Sequence, residues 1–336
     1  MPEKNLESQL RDAGVLVDRG QYQDAVALYE SIANSHAECI EAWLMLGSLY
    51  GEAGETEKAI NSLVQATKLD PENVSVQEIL GQVYCSKGDL QQALGCFDKA
   101  VFAHPDDADL HCLVAEVYRA QGNQEAAIDA FERARNCENA TDQINAMLGY
   151  LYLQKEDYPN AEEYYRQYLL NDKDDVAAVT GWCAAMPGVE KRSAESEQLL
   201  ESYLKSKTSE TEIIVQLAGM CSRLGRHGDA EDLVERVLKE NPGDDRCLLA
   251  KAEILERQGD LPGAFEILKP FLESQPVNVH AVLIFAKFSH VVGLKNECLQ
   301  LLQTVLADEE LPHDTRGQVL MAVDWVNSDG ERKHAD

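Results

Sequence analysis

No stretch of this 336-residue chain approaches the roughly 18 consecutive apolar residues that a membrane-spanning helix requires, so direct insertion into a membrane is not expected. Basic residues are scarce: 30 Lys and Arg stand against 59 Asp and Glu, a formal charge of −29 at pH 7. A field of that sign repels phosphate backbones and anionic membrane surfaces. Nucleic acid is therefore not an expected partner, cationic surfaces are, and the charge also keeps the chain soluble. The opening residues, Met1 to Glu7, lack the apolar core of a secretion signal, which points to the cytoplasm. The nine cysteines form no C-x-x-C pair and lie scattered from Cys39 to Cys298, the pattern of reduced, small apolar side chains rather than of a disulfide framework.

Chemistry is absent in the same way. None of the eight histidines has a second ligand at the spacing of an H-E-x-x-H zinc helix, and the adjacent His111 and Cys112 diverge by about 100° on a helix. There is no phosphate-cradling glycine loop and no G-x-S-x-G elbow; Ser48 follows Gly47 inside a helical pattern. Acidic pairs such as Asp106-Asp107 and Asp174-Asp175 sit where carboxylates cap a following helix. No catalytic residue, cofactor site or metal site is expected, and the chain does not read as an enzyme.

What is present is a period. Gly20, Gly54, Gly88 and Gly122 stand 34 residues apart, and Gly225, Gly259 and Gly293 resume the step after one extra residue. Ala25, Ala59, Ala93, Ala127, Ala230 and Ala264 each follow five residues later. The unit is thus a helix, a glycine turn, and a second helix that packs closely through a small side chain. Between Ile40 and Asn73 the first helix carries Trp43, Leu46, Gly47 and Tyr50 and the second Ala59, Leu63 and Ala66, each set at spacings of three and four. Asp70-Pro71 ends the unit. Gly47 and Gly81 lie inside helices, where glycine costs about 1 kcal/mol relative to alanine, a cost that makes sense where another helix approaches the backbone.

These residues, at this spacing, resemble the tetratricopeptide repeat family over essentially the whole chain. The resemblance implies an all-α solenoid, a right-handed superhelix of antiparallel helix pairs whose first helices line a concave groove that holds peptides or proteins. Nine repeats are expected within residues 6–327, starting near Leu6, Ile40, Val74, Ala108, Asp142, Val176, Thr211, Asp245 and Val279, followed by a C-terminal helix. Two repeats depart from the pattern. In the fifth, Glu156 takes the turn position and Tyr168 replaces a small residue. In the sixth, Pro187-Gly188 should end the first helix by Met186, with Glu190, Lys191 and Arg192 extending the turn before Ser193 caps the second, a local irregularity or a joint between half-arrays. Beyond Arg316 to Asn327, whose Val319, Leu320, Val323 and Val326 should cover the ninth repeat, Gly330 and Ala335 restate the glycine-to-alanine spacing; residues 328–336 read as a tail or the start of an interrupted tenth repeat.

The groove-facing positions of the second to fifth repeats are Glu41, Leu44, Met45 and Ser48; Glu78, Ile79, Gln82 and Cys85; Asp109, Cys112, Leu113 and Glu116; and Gln143, Met147, Tyr150 and Leu153. The family's carboxylate clamp uses Lys, Asn and Arg here, and none of these stands at the matching positions. The strip is instead apolar and edged by acids, suited to an amphipathic or basic segment, although several of its side chains could equally pack between helices. Toward the C-terminus the groove changes character, with Arg223, Arg246, Arg257, Lys287 and His290 beside Glu253 and Glu256. The expected function is a protein-interaction scaffold or adaptor that holds a peptide or protein in its groove. Two alternatives stand beside it: the regulatory or substrate-binding array of a longer enzyme such as a sulfotransferase or glycosyltransferase, and a self-assembling scaffold, since an incompletely capped end permits a homo-oligomer.

Overall fold

A computed structural model describes residues 6–189, 192–206, 210–274, 278–287, 289, 291–308 and 311–328. Among them are 19 α-helices and no strand. By packing, the chain divides into two compact units, Met1–Leu151 and Tyr152–Asp336. The first contains α1 (Leu6–Asp18), α2 (Tyr22–Ser35), α3 (Ile40–Glu52), α4 (Thr56–Leu69), α5 (Val74–Lys87), α6 (Leu90–Ala103), α7 (Ala108–Ala120) and α8 (Gln124–Arg135), and the boundary falls within α9 (Gln143–Gln154). The second contains α10 (Tyr158–Leu169), α11 (Val176–Ala185), α12 (Ala194–Lys205), α13 (Thr211–Arg223), α14 (His227–Glu240), α15 (Asp245–Gln258), α16 (Leu261–Ser274), α17 (Val279–Ala286), α18 (Lys295–Leu306) and α19 (His313–Asn327). A single 3-10 turn, Met186–Gly188, follows α11.

Each unit is a stack of helix pairs. The second helices α2, α4, α6, α14 and α16 pack against the first helix of their own repeat and of the next, and first helices also touch one another, α3 on α5 and α13 on α11 and α15. First helices therefore share one face of each unit. The intra-repeat contact is closest at glycine: a Cβ built on Gly81 would lie 2.5 Å from the Phe97 ring, and one on Gly47 would collide with Leu63 Cγ. Leu63 and Phe97 are buried beneath those bare backbones, so a side chain's worth of space on one helix is occupied by the other.

The turn between the two helices needs a left-handed residue. Gly88 has φ +83°, and the other phased glycines lie between +71° and +84°. In the fifth repeat Glu156 takes the same conformation, φ 59°, at the steric expense that an L side chain carries there.

Between repeats, acids and amides do the capping. Asn73, Asp107, Asp175, Asp244 and Asn278 accept backbone N–H groups at the starts of α5, α7, α11, α15 and α17, and Asp89, Asn123, Asp157 and Ser193 do so for α6, α8, α10 and α12. Part of the acidic excess is thus structural. A second device recurs at the 34-residue period: Trp43 Nε1, Gln77 Nε2 and His111 Nε2 bond the carbonyls of Ala37, Pro71 and Pro105 at 2.9, 2.9 and 2.8 Å. A carbonyl only accepts, so His111 carries its proton on Nε2. His111 is a tie that holds the repeat junction to α7.

In the second unit the departures from the pattern are compensated. Tyr168 is buried and its hydroxyl donates to Asp175, the cap of α11, at 2.9 Å. Glu162, also buried, accepts from Trp182 Nε1 at 2.9 Å and Ser196 Oγ at 2.8 Å, with Arg166 Nε 3.6 Å away, so one carboxylate joins α10, α11 and α12. The helix before Pro187 ends at Ala185, and the turn that follows is well packed: Met186 is fully buried and a Cβ on Gly188 would collide with the Tyr158 ring. Glu190 and Lys191, expected to lengthen this turn, lie outside the described residues, as do Gly330 and Ala335. α19 packs on α17 and α18 through Val319 and Val326, with Val323 half-buried. Leu320, expected on that same face, is 50% exposed beside Met321, because one helical step of about 100° carries it round from Val319 to the solvent side.

Two measurements check this account. Gly81→Ala should lower stability by about 1 to 3 kcal/mol through overpacking against Phe97, whereas Gly95→Ala, in helix α6 with nothing within 4 Å of the new methyl, should raise it by up to about 1 kcal/mol. Urea unfolding of the two variants beside the parent gives the comparison, and equal midpoints would contradict the close approach. Glu156→Gly should stabilise by roughly 0.5 to 1 kcal/mol, the left-handed strain relieved less the added freedom of the unfolded chain, seen as a higher Tm.

Candidate functional site

The first-helix face of the N-terminal unit repeats every 34 residues, so equivalent positions form stripes. Met45, Ile79, Leu113 and Met147 make one stripe, and Ser48, Gln82, Glu116 and Tyr150 another. The structure treats the members differently. Leu44, Met45 and Ile79 are only partly exposed and pack against the buried core of the first repeats, so much of their surface is spent between helices. Ser48, Cys112 and Leu113 are half-buried, and Gln82 and Asp109 are exposed. Met147 and Tyr150 are 41% and 44% exposed. With Leu151, Phe131, Glu116 and Arg119 they line an apolar hollow of about 310 Å³. It gathers Glu116, Met147 and Tyr150 of the expected groove residues; the others lie outside it.

The rim is electrostatically uneven. Glu116 Oε2 already accepts from Arg119 Nε at 2.8 Å and Nη2 at 2.5 Å, so this acid is paired. Glu78 takes a long bond of 3.4 Å from Gln82 Nε2. Its carboxyl is pushed above the usual glutamate range by burial, then by the charges of Asp107 and Asp109. Burial, followed by the charges of Asp109 and Glu116, pushes the Cys112 thiol up to about 11, which leaves it an unreactive thiol at neutral pH.

The second unit has a hollow of a different kind, about 200 Å³, on the first helices α13, α15 and α17. Arg223, Arg246, Arg257 and Glu253 meet there as the charge pattern suggested, and Lys287 pairs nearby with Glu256 at 3.3 Å. His290 lies outside the described residues. Sequence reasoning missed Glu212, Gly219, Ser222 and His280. The signal was available: Glu212, Arg246 and His280 are themselves 34 residues apart, and so are Gly219, Glu253 and Lys287. Arg246 Nη1 lies 3.5 Å from Glu212 Oε2, and His280 Nε2 lies 3.1 Å from Glu253 Oε1. The hydrogen bond from His280 holds the Glu253 carboxyl below its ordinary range.

Among the described residues no group of three or more His, Cys, Asp or Glu could hold a metal ion, and no helix is long and apolar enough to cross a membrane. The cysteines are all free. Paired helices stacked in a tandem array, with side chains of the first helices gathered into hollows, define a helical repeat protein of the kind that recognises other polypeptides. Tetratricopeptide repeat models match residues 142–175 and 222–278, and a cytochrome c-type biogenesis protein H TPR domain model matches residues 23–134. The chain belongs to the tetratricopeptide repeat family. Among solved structures it is similar to MamA from Desulfovibrio magneticus, with 19% identity over 51% of this chain and 98% of that one and a TM-score of 0.47. It is also similar to a thermophilic TPR protein of Thermus thermophilus, with 23% identity, coverage of 54% and 98%, and a TM-score of 0.40. No curated protein matches the chain.

Proposed function

We propose that this protein is an interaction scaffold whose N-terminal unit holds an amphipathic, basic segment of a partner protein along the first-helix face. The observation that carries this reading is the hollow beside Met147 and Tyr150. A large aromatic and a methionine stand 44% and 41% exposed over a floor of Phe131 and Leu151, an arrangement that costs solvation unless an apolar side chain covers it. Glu41, Asp109 and Gln82 flank the same face and remain exposed, in a chain of charge −29. An apolar anchor in the hollow with cationic residues on either side satisfies both features. Nine free cysteines, six of them buried, suit a reducing compartment, and the cytoplasm is the compartment we propose.

The test uses fluorescein-labelled amphipathic peptides of one apolar face and either lysines or glutamates on the other, followed by stopped-flow anisotropy. The lysine peptide should bind the more tightly. Tyr150→Ala should weaken it by about 2 kcal/mol, mainly through faster dissociation, while Asp109→Lys should mainly slow association and flatten its salt dependence. Asp109 is a cleaner probe than Glu116, whose replacement would also release Arg119. Binding of the lysine peptide that is indifferent to Tyr150→Ala would sink the assignment.

Acidity gives an independent check. Because Glu78 is raised above the ordinary glutamate range, its attraction for a cation is lost at a higher pH than that of an ordinary glutamate. Affinity for the lysine peptide should therefore begin to fall above the pH at which ordinary glutamates titrate. Glu78→Gln should lower affinity at neutral pH and remove that early step in the pH profile.

A further inference from the structure

The second hollow carries more than its lining. In a chain with almost twice as many acids as bases, it draws Arg223, Arg246, Arg257 and His280 to one place. Only two carboxylates line it, Glu212 and Glu253, and both face partners within the hollow, Arg246 and His280. Arg223 spends Nη2 on the Cys183 carbonyl at 2.7 Å, and Arg257 makes no hydrogen bond or ion pair among the described residues. The positive charge is therefore only partly answered.

Two further observations point to an occupant. Ser222 lines the hollow, is 4% exposed, and its hydroxyl has no hydrogen-bond partner, a state that costs free energy unless something completes it. Gly219 sits one turn before Arg223 in the interior of α13, where glycine is unfavourable. Packing does not demand it: a Cβ there would meet nothing nearer than Arg223 Nη1, at 3.9 Å, unlike the clash at Gly81. Its bare backbone keeps the space beside Arg223 open.

We propose that this hollow binds an internal acidic peptide segment, with side-chain carboxylates on the guanidinium groups of Arg223 and Arg257 and an aliphatic side chain between them. The guanidinium groups are spread over the successive first helices α13 and α15, with the His280 imidazole beside them on α17, which suits a linear segment better than a compact anion. The floor between them is aliphatic, made by Val215, Leu249 and Ile254. A guanidinium presents a fork of donors that fits a carboxylate, and the unmatched Ser222 hydroxyl supplies one donor more. The site is independent of the one in the first unit and takes the opposite charge.

The experiment uses the full chain and a fluorescein-labelled ten-residue peptide in which Glu and Asp flank a single leucine, with both ends blocked. Controls are the lysine counterpart, the acidic peptide with a free C-terminus, and inorganic phosphate as competitor. In the Tyr150→Ala background, which removes the anchor of the first site, the blocked acidic peptide should bind at least about tenfold more tightly than the lysine peptide. Arg257→Glu, at an exposed position, should abolish the preference, Gly219→Leu should block binding by filling the hollow, and Gly219→Ala, which the helix accepts, should weaken it by a smaller factor. Tyr150→Ala should leave it unchanged, so failure here is distinguishable from failure of the first site. Binding that ignores Arg257→Glu and Gly219→Ala would overturn the proposal. So would binding that requires the free C-terminus, or displacement by millimolar phosphate with no dependence on the leucine.

Discussion

Each helix pair of this protein has an apolar face that it cannot bury by itself. The solution is contact between neighbours, and its tightest point is the place where the backbone of a first helix meets the side chain of a second. At Gly47 and Gly81 the first helix gives up its own side chain so that Leu63 and Phe97 can enter. Much else follows from that approach. The helices must turn back within three or four residues, hence the left-handed glycines; the next pair must start at a defined place, hence the Asp and Asn caps and the ties from Trp43, Gln77 and His111. A solenoid built this way has stability that is roughly a sum over repeats and their interfaces.

The regularity also organises recognition. A 34-residue period places equivalent positions of successive first helices side by side, so a few substitutions at one phase can change the character of a whole face. In the N-terminal unit those positions carry Met, Ile, Leu and Tyr with acids at the edges. In the second unit the methionine phase carries Gln216, Ala250 and Ile284 and the Tyr150 phase Gly219, Glu253 and Lys287, while Arg246 and His280 stand at the phase of Asp109, and Arg223 and Arg257 at that of Gln154. The chain is strongly acidic overall, yet the two hollows on the first-helix faces differ, one apolar with the paired Glu116 and Arg119 at its edge and one lined by guanidinium groups.

Irregular repeats show how the array absorbs defects. Tyr168, where a small residue is the rule, is accommodated because its hydroxyl reaches Asp175, which is itself fixed as a helix cap. The buried Glu162 is held by Trp182 and Ser196 on the two helices that follow, so an otherwise costly charge becomes a three-helix junction. The proline turn after α11, which a sequence suggests as a point of weakness, is enclosed by Met186 and Tyr158. The compact units divide at Leu151 rather than there.

The amino-acid sequence by itself determined the repeat, the helix pairs, the glycine turns and the family, because these depend on local rules: the 3.6-residue helical period, left-handed φ at a turn, and side chains that cap the nearest N–H. It also named the three arginines and Glu253 of the second hollow. Tertiary structure alone decided how much of each stripe remained exposed. Leu44, Met45 and Ile79 were legible as apolar positions of a first helix, but whether they face a partner or the next helix depends on interhelical distances that no local pattern encodes. The partnerless hydroxyl of Ser222 belongs to the same class. It is set by which side chains of the adjacent repeat reach the same space, and that depends on packing between neighbouring repeats.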